Sequence, residues 1–114
     1  MLVTALEPRR KRLTALFLDG ELAAKLDSET LLQSGLRIGM ELDDEELYRL
    51  IQRSDAHRAQ EKALYLLEHR SHSKKELADK ISRTAGREAA ERAAERMEEL
   101  GLVNDAQYAR NLAE

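Results

Sequence analysis

The sequence of 114 residues contains no cysteine and one proline, and aromatic side chains make up 4% of it. Without cysteine, the chain can form neither a disulfide framework nor a zinc site with thiolate ligands. Few aromatic residues beside 36% charged residues favour short helices with much exposed surface over a β-sandwich or a large enzyme. A chain of this length forms one domain, or two very small ones, with a modest core.

Long apolar runs are missing too. No stretch approaches the roughly 18 apolar residues that a membrane span requires. The N-terminus also lacks the pattern of a secretory signal peptide. The sequence therefore predicts no membrane association and a cytoplasmic location.

Patterns of catalytic and cofactor sites are likewise lacking. There is no glycine-rich phosphate loop and no nucleophile elbow, and adjacent acids such as Glu45 and Glu46 diverge around a helix. Of the three histidines, His57, His69 and His72, the last two are three positions apart, but a zinc site would need further ligands. We therefore predict no catalytic residues, no cofactor, no metal site and no enzymatic activity.

The first part of the chain has a hairpin pattern. Residues 2–7 and 13–18 alternate in the manner of strands, and residues 21–26 form a third candidate. Asp19 and Gly20 separate the last two, and this dipeptide is typical of a type I′ turn. Because a lone hairpin is only marginally stable, we predict a small three-stranded antiparallel sheet.

Within this sheet the alternation places Leu22, Ala24 and Leu26 on one face. Ser28 is the predicted N-cap of a short helix that follows the third strand. The leader formed by these elements is predicted to occupy residues 1–54.

Helix signals dominate the remainder. Asp43 with Glu46 and Ser73 with Glu76 have capping-box spacing, and Gly86 ends the second of these helices. An apolar stripe lapses near residues 54–55 and then resumes, which leaves open whether one bent helix or two cross this region.

A further helix is predicted to bury Ala90, Ala94, Met97 and Leu100 and to end at Gly101. Asn104 is the predicted cap of the next helix. The sequence thus predicts an α+β fold, mostly helical, with a three-helix unit over residues 55–103 and the start of a second unit over 104–114.

Positive charge is concentrated in two places although the net charge is −3. Residues 71–87 contain five bases and two acids, and some of the bases lie near a helix N-terminus, where positive charge is unfavourable. That local cost favours a binding role. The second place is the run of four bases at residues 9–12, which is either a solvated turn or a nucleic-acid contact.

A further pattern combines Ala63-Leu64, Leu67, Arg70, Ser73, Glu76-Leu77, Lys80, the run from Leu100 to Asp105, and Tyr108-Ala109. The leader contributes residues 18–21, 35–36 and 42–43 to this pattern. With these residues the sequence resembles the RecX family, bacterial regulators of the RecA recombinase. The resemblance implies a non-enzymatic protein that binds RecA filaments on single-stranded DNA and mostly inhibits RecA in recombination, DNA repair and the SOS response.

We predict that partner and DNA contacts are made by eight bases: Arg9, Arg10, Lys11, Arg12, Lys74, Lys75, Lys80 and Arg83. Residues 105–114, with Tyr108 and Leu112, are predicted to support a non-functional self-association. A helix-turn-helix transcriptional regulator is the alternative, although the acidic third helix is poorly suited to a DNA groove. A protein-interaction module without nucleic-acid contact is the third possibility.

Overall fold

The structure is a computed structural model that describes residues 1–106, and it divides into two compact units, residues 1–57 and a second beginning at Arg58. Its mostly helical α+β architecture confirms the predicted fold class. The elements are β1 (Val3–Pro8), β2 (Leu13–Leu18), β3 (Glu21–Asp27), α1 (Ser28–Ser34), α2 (Asp44–His69), α3 (Lys74–Ala85) and α4 (Arg87–Glu99).

The three strands form an antiparallel sheet in the order β1-β2-β3. Asp19 and Gly20 join β2 to β3 with φ angles of 51° and 84°. Both angles are positive, as a type I′ turn requires, so the predicted hairpin is confirmed. The other end of β2 is joined to β1 by residues 9–12, called the β1–β2 turn below. In this turn Lys11 and Arg12 also have positive φ angles.

The prediction for the faces of β3 is wrong at Leu22. The pairing shifts from Leu16 opposite Ala24 to Phe17 opposite Leu22, which leaves Ala23 as an extra residue in β3. A bulge of this kind reverses the side-chain alternation. Leu22 is consequently 53% exposed, whereas Leu26 is buried.

The core of residues 1–57 lies between the sheet and the helices of this unit. Its buried apolar residues are Val3, Leu16, Leu18, Leu26, Leu31, Leu42 and Leu50.

Helix α1 is capped by Asp27 rather than by Ser28, so the predicted cap is wrong by one position. The Asp27 carboxylate accepts hydrogen bonds from the Thr30 backbone N–H at 2.9 Å and from the Thr30 hydroxyl at 2.8 Å. The backbone N–H of Asp27 donates to the hydroxyl of the buried Ser54 at 2.7 Å. The Asp27 side chain is preferred as the cap because its carboxylate accepts from both Thr30 donors at once.

Helix α2 is a single helix of 26 residues, which answers the question that the sequence left open. The predicted capping box begins it: the Glu46 N–H donates to the Asp43 carboxylate at 2.7 Å, and the Asp43 N–H donates back to Glu46 at 3.3 Å. The lapse in the apolar stripe does not interrupt it.

The second unit packs α3 and α4 together with the last turns of α2. Its core includes Ala59, Ala63, Leu77, Ile81, Ala90, Ala94, Met97 and Val103. The predicted cap at Ser73 is confirmed, because its side chain accepts from the Glu76 N–H, and α3 ends before Gly86 as predicted.

The predicted burial of Leu100 is wrong, because this side chain is 50% exposed after the end of α4. Gly101 has the predicted positive φ, 80°. A helical turn begins at Asp105 and Ala106. Residues 107–114, including Tyr108 and Leu112 of the predicted self-association surface, lie outside the described residues.

Candidate functional site

Helix α3 has apolar side chains on one side and most of its cationic side chains on the other. Leu77, Ala78, Ile81 and Ala85 are buried on one side. At about 100° per residue, Lys75, Arg83 and Lys80 fall within an arc of about 140° on the other side. These three cations are called the α3 basic face below. Because the apolar stripe fixes the rotation of the helix, it also fixes which cations face outward.

Lys74 belongs to the predicted set of contact residues, but other groups of the second unit engage it. Its ammonium lies 3.3 Å from the Glu98 carboxylate of α4. Its backbone N–H donates to the Asp105 carboxylate at 2.9 Å. The Asp105 anion also offsets the unfavourable position of cations at this helix N-terminus. The positive charge of Lys74 is thus compensated within the fold.

The two acids of α3 are each neutralised by an arginine. Two nitrogens of the Arg70 guanidinium donate to Glu76 at 3.1 and 2.9 Å. This bidentate hydrogen bond holds the pKa of Glu76 below its usual range. Arg87 donates to Asp79 at 3.0 Å. Neither acid is therefore left to cancel the charge of the α3 basic face.

Lys80 is positioned by a buried histidine. Its ammonium lies 3.2 Å from Nε2 of His72, and Nδ1 of His72 lies 2.9 Å from the Arg70 carbonyl oxygen. Since an ammonium can only donate, Nε2 accepts and Nδ1–H donates, which defines a neutral imidazole. Burial lowers the pKa of His72, and the positive charges of Arg70 and Lys80 lower it further. Lys80 is therefore anchored by an uncharged partner.

The side chains of Lys75 and Arg83 are exposed and have no hydrogen-bond or ion-pair partner among residues 1–106. With Lys80 they border a surface recess of about 370 Å³, which Ser73, Glu76 and Asp79 complete. The structure thus brings three of the four predicted α3 residues to one surface and assigns the fourth, Lys74, to an internal ion pair. A shared anionic ligand, such as a phosphate backbone, fits this arrangement.

The other predicted cations form the exposed tip of the β1–β2 turn in residues 1–57. Arg9 lies 3.4 Å from the Glu7 carboxylate. Arg10 and Lys11 have no hydrogen-bond or ion-pair partner for their side chains in the described part of the chain. This turn and the α3 basic face belong to different units, and each is a separate candidate surface.

The histidines have distinct protein partners. His57 lies 2.8 Å from the buried Asp27 carboxylate and 3.4 Å from Glu29. His69 Nδ1 lies 2.8 Å from the Tyr65 carbonyl oxygen, whereas His72 holds Lys80. Sequence reasoning missed the role of His72. His72 and Lys80 are eight positions apart and lie on either side of the start of α3. No sequence motif marks a contact at this spacing.

Among residues 1–106, no helix is long and apolar enough to cross a membrane.

The comparison with known proteins begins with the fold. A crystal structure of regulatory protein RecX superposes with a TM-score of 0.61 over 97% of this chain and 56% of that chain, at 21% identity. This likeness shows a shared fold, a small sheet followed by packed helices. No family model matches the chain.

Two curated relatives, both named regulatory protein RecX, are also similar to this chain in sequence. The protein from Caldanaerobacter subterraneus subsp. tengcongensis is 32% identical over 100% of this chain and 59% of its own length. The protein from Clostridium beijerinckii is 29% identical over 90% of this chain and 49% of its own length. These matches confirm the resemblance to RecX described above, and the chain spans about half the length of the relatives it matches.

Proposed function

We propose that this chain acts as a RecX-type regulator in the cytoplasm that binds RecA filaments on single-stranded DNA and limits RecA activity without catalysis of its own. The relatives named RecX support the regulatory class. We further propose residues 1–54 as a leader, residues 55–103 as one helical repeat, and residues 104–114 as the beginning of the next.

The observation that carries the proposal is the charge arrangement on α3. Both acids of the helix are paired with arginines, and Lys74 is paired with Glu98. Lys75, Lys80 and Arg83 therefore present three uncompensated charges on one surface. In a chain with a net charge of −3, this local concentration favours an anionic partner.

Helix α4 argues against the alternative of a helix-turn-helix regulator. Its exposed surface carries Glu88, Glu91, Glu95, Glu98 and Glu99. Three of these carboxylates are paired with Arg92, Lys74 and Arg96, but the helix still has five acids against three arginines, so its surface is unfavourable for a major groove lined by phosphates. Binding along a nucleoprotein filament through α3 requires no such insertion.

The test uses a triple variant, Lys75→Gln with Lys80→Gln and Arg83→Gln. We expect weaker binding to RecA filaments on single-stranded DNA, with the slope of log K against log salt reduced by about 2. Fluorescence anisotropy across a salt series measures both quantities, and RecA ATPase activity reports the loss of inhibition.

The matched control is Lys74→Gln with Arg92→Gln and Arg96→Gln. It removes the same net charge, but from cations that have carboxylate partners at 3.3, 2.6 and 3.3 Å. The control should bind almost like the parent. Equal losses in both triple variants would mean that net charge matters and the α3 basic face does not. Unchanged binding by the first variant, with helix content preserved in circular dichroism, would overturn the proposal.

A further inference from the structure

The β1–β2 turn has a backbone that its sequence does not favour. Lys11 and Arg12 have φ angles of 60° and 59°, and Asp19 is the one other non-glycine residue with positive φ among residues 1–106. Asparagine, aspartate and glycine are preferred at such positions because they tolerate the left-handed region. Two long cationic side chains occupy them here.

Packing does not explain why Lys11 is present. Residues 9–12 are all exposed, so their side chains add little to the core. Asn-Gly would give the same turn with less backbone strain. Strained backbone on an exposed surface points to a functional requirement for the side chains.

The turn is held firmly in place. The Arg9 N–H donates to the Leu13 carbonyl at 2.7 Å, and the Leu13 N–H donates to the Arg10 carbonyl at 3.3 Å. The Arg12 carbonyl accepts from the Ser28 N–H at 2.9 Å, which ties the turn to the start of α1. A cation presented on a fixed backbone loses less conformational entropy on binding than one on a mobile loop.

Two of the four cations at this turn, Arg10 and Lys11, are uncompensated. Glu7 pairs with Arg9, but Arg10 and Lys11 have no carboxylate partner in the described part of the chain. The segment contains no aromatic side chain that would stack on bases. The chemistry therefore favours phosphate over base recognition, so binding would be independent of sequence.

We propose that the β1–β2 turn is a second nucleic-acid contact, which holds the phosphate backbone of single-stranded DNA through Arg10 and Lys11. This proposal deepens the function proposed above and rests on it. The turn binds DNA directly, separately from the α3 basic face, and needs no RecA for the contact.

The test measures binding of the chain to a fluorescent oligothymidylate without RecA, across a salt series. In the variant Arg10→Gln with Lys11→Asn we expect several-fold weaker binding and a slope of log K against log salt reduced by about 1.4. Asparagine tolerates the left-handed backbone, so the melting temperature should stay the same or rise. Weaker binding would then not be a result of unfolding.

The control variant, Arg37→Gln with Arg49→Gln, removes two exposed cations from the same unit. Arg49 lines a recess with Met40 and Glu41, and Glu41 pairs with Leu2, so this region adjoins the opposite end of the sheet from the β1–β2 turn. We expect the control to bind oligothymidylate almost like the parent.

Three results would overturn the proposal: no binding of the parent to the oligonucleotide, equal losses in both double variants, or unchanged binding by the turn variant. A turn variant that binds oligothymidylate normally but RecA filaments poorly would assign the turn to a protein surface and also overturn it. The α3 triple variant tests the filament-binding function separately, so failure of one proposal is distinguishable from failure of the other.

Discussion

The two turns at the ends of β2 both have positive φ angles, but one is formed by residues that favour this conformation and the other by residues that do not. Asp19 and Gly20 have φ angles of 51° and 84°, and Lys11 and Arg12 have φ angles of 60° and 59°. At the first turn the Asp19 carboxylate also accepts from the Leu2 N–H at 2.9 Å. At the second turn the exposed Lys11 side chain supports neither the bend nor the core.

This difference separates two reasons for a residue to occupy a turn. Asp19 and Gly20 are there because the backbone needs them, and they stabilise the hairpin. Lys11 and Arg12 adopt a left-handed conformation that costs about 1 kcal/mol or more per residue. Neighbouring hydrogen bonds impose that conformation on them, including the one from Ser28.

The largest expected effect is at Gly20. Gly20→Val places a β-branched residue at a φ of 84°, which should cost about 2 kcal/mol of unfolding free energy. A Cβ at this position would contact nothing within 4 Å, so the loss comes from the backbone alone. Thermal unfolding should show a melting temperature lowered by about 10 °C. Gly20→Asn, as the control, should lower it far less, and equal losses would argue against a conformational cause.

A smaller loss is expected at the neighbouring position. Asp19→Ala removes the acceptor for the Leu2 N–H and a residue that tolerates positive φ, so we expect a loss of about 1 kcal/mol. Urea denaturation gives the free energy directly. Glu21→Ala, an exposed acid beside the turn, is the comparison and should change stability little. If both variants lose the same stability, the Asp19 side chain has no special role.

The smallest effect, with the opposite sign, is expected at the β1–β2 turn. Lys11→Asn should raise the unfolding free energy by about 0.5 kcal/mol, because asparagine accepts the left-handed backbone more readily than lysine. The same substitution at the exposed strand position Lys25 should be neutral or destabilising, because asparagine is depleted in strands. A loss of stability at Lys11 in urea denaturation would remove the contrast between the two turns.

The sequence predicted turns and helix caps correctly where the residues that determine them are close together in the chain. The turn at Asp19 and Gly20 and the capping residues Asp43 and Ser73 were predicted correctly, because each depends on residues within three or four positions. The bulge at Ala23 was missed because it arises from the pairing of two strands. The Asp27 cap was missed because the adjacent Ser28 has the same local preference, and contact with Ser54 is visible only in three dimensions.

The same division applies to the candidate site. The sequence shows that bases are concentrated on α3, but it does not show which of them are paired with carboxylates. The ammonium of Lys74 is paired with Glu98, which is 24 positions away, and its backbone N–H donates to the Asp105 carboxylate. The strain at Lys11 was also invisible, since a basic run carries no turn signal.

The neutral imidazole behind Lys80 has a consequence for how this surface responds to acidity. Because the pKa of His72 is lowered, the folded protein takes up a proton there less readily than the unfolded chain does. Its contribution to stability is complete above the ordinary histidine value of 6.5 and is lost as pH falls through the lower folded value. Across the neutral range, therefore, His72 adds no charge beside Lys80. In that range the charge beside His72 comes from the cations of the α3 basic face alone, and a rise in salt would screen it.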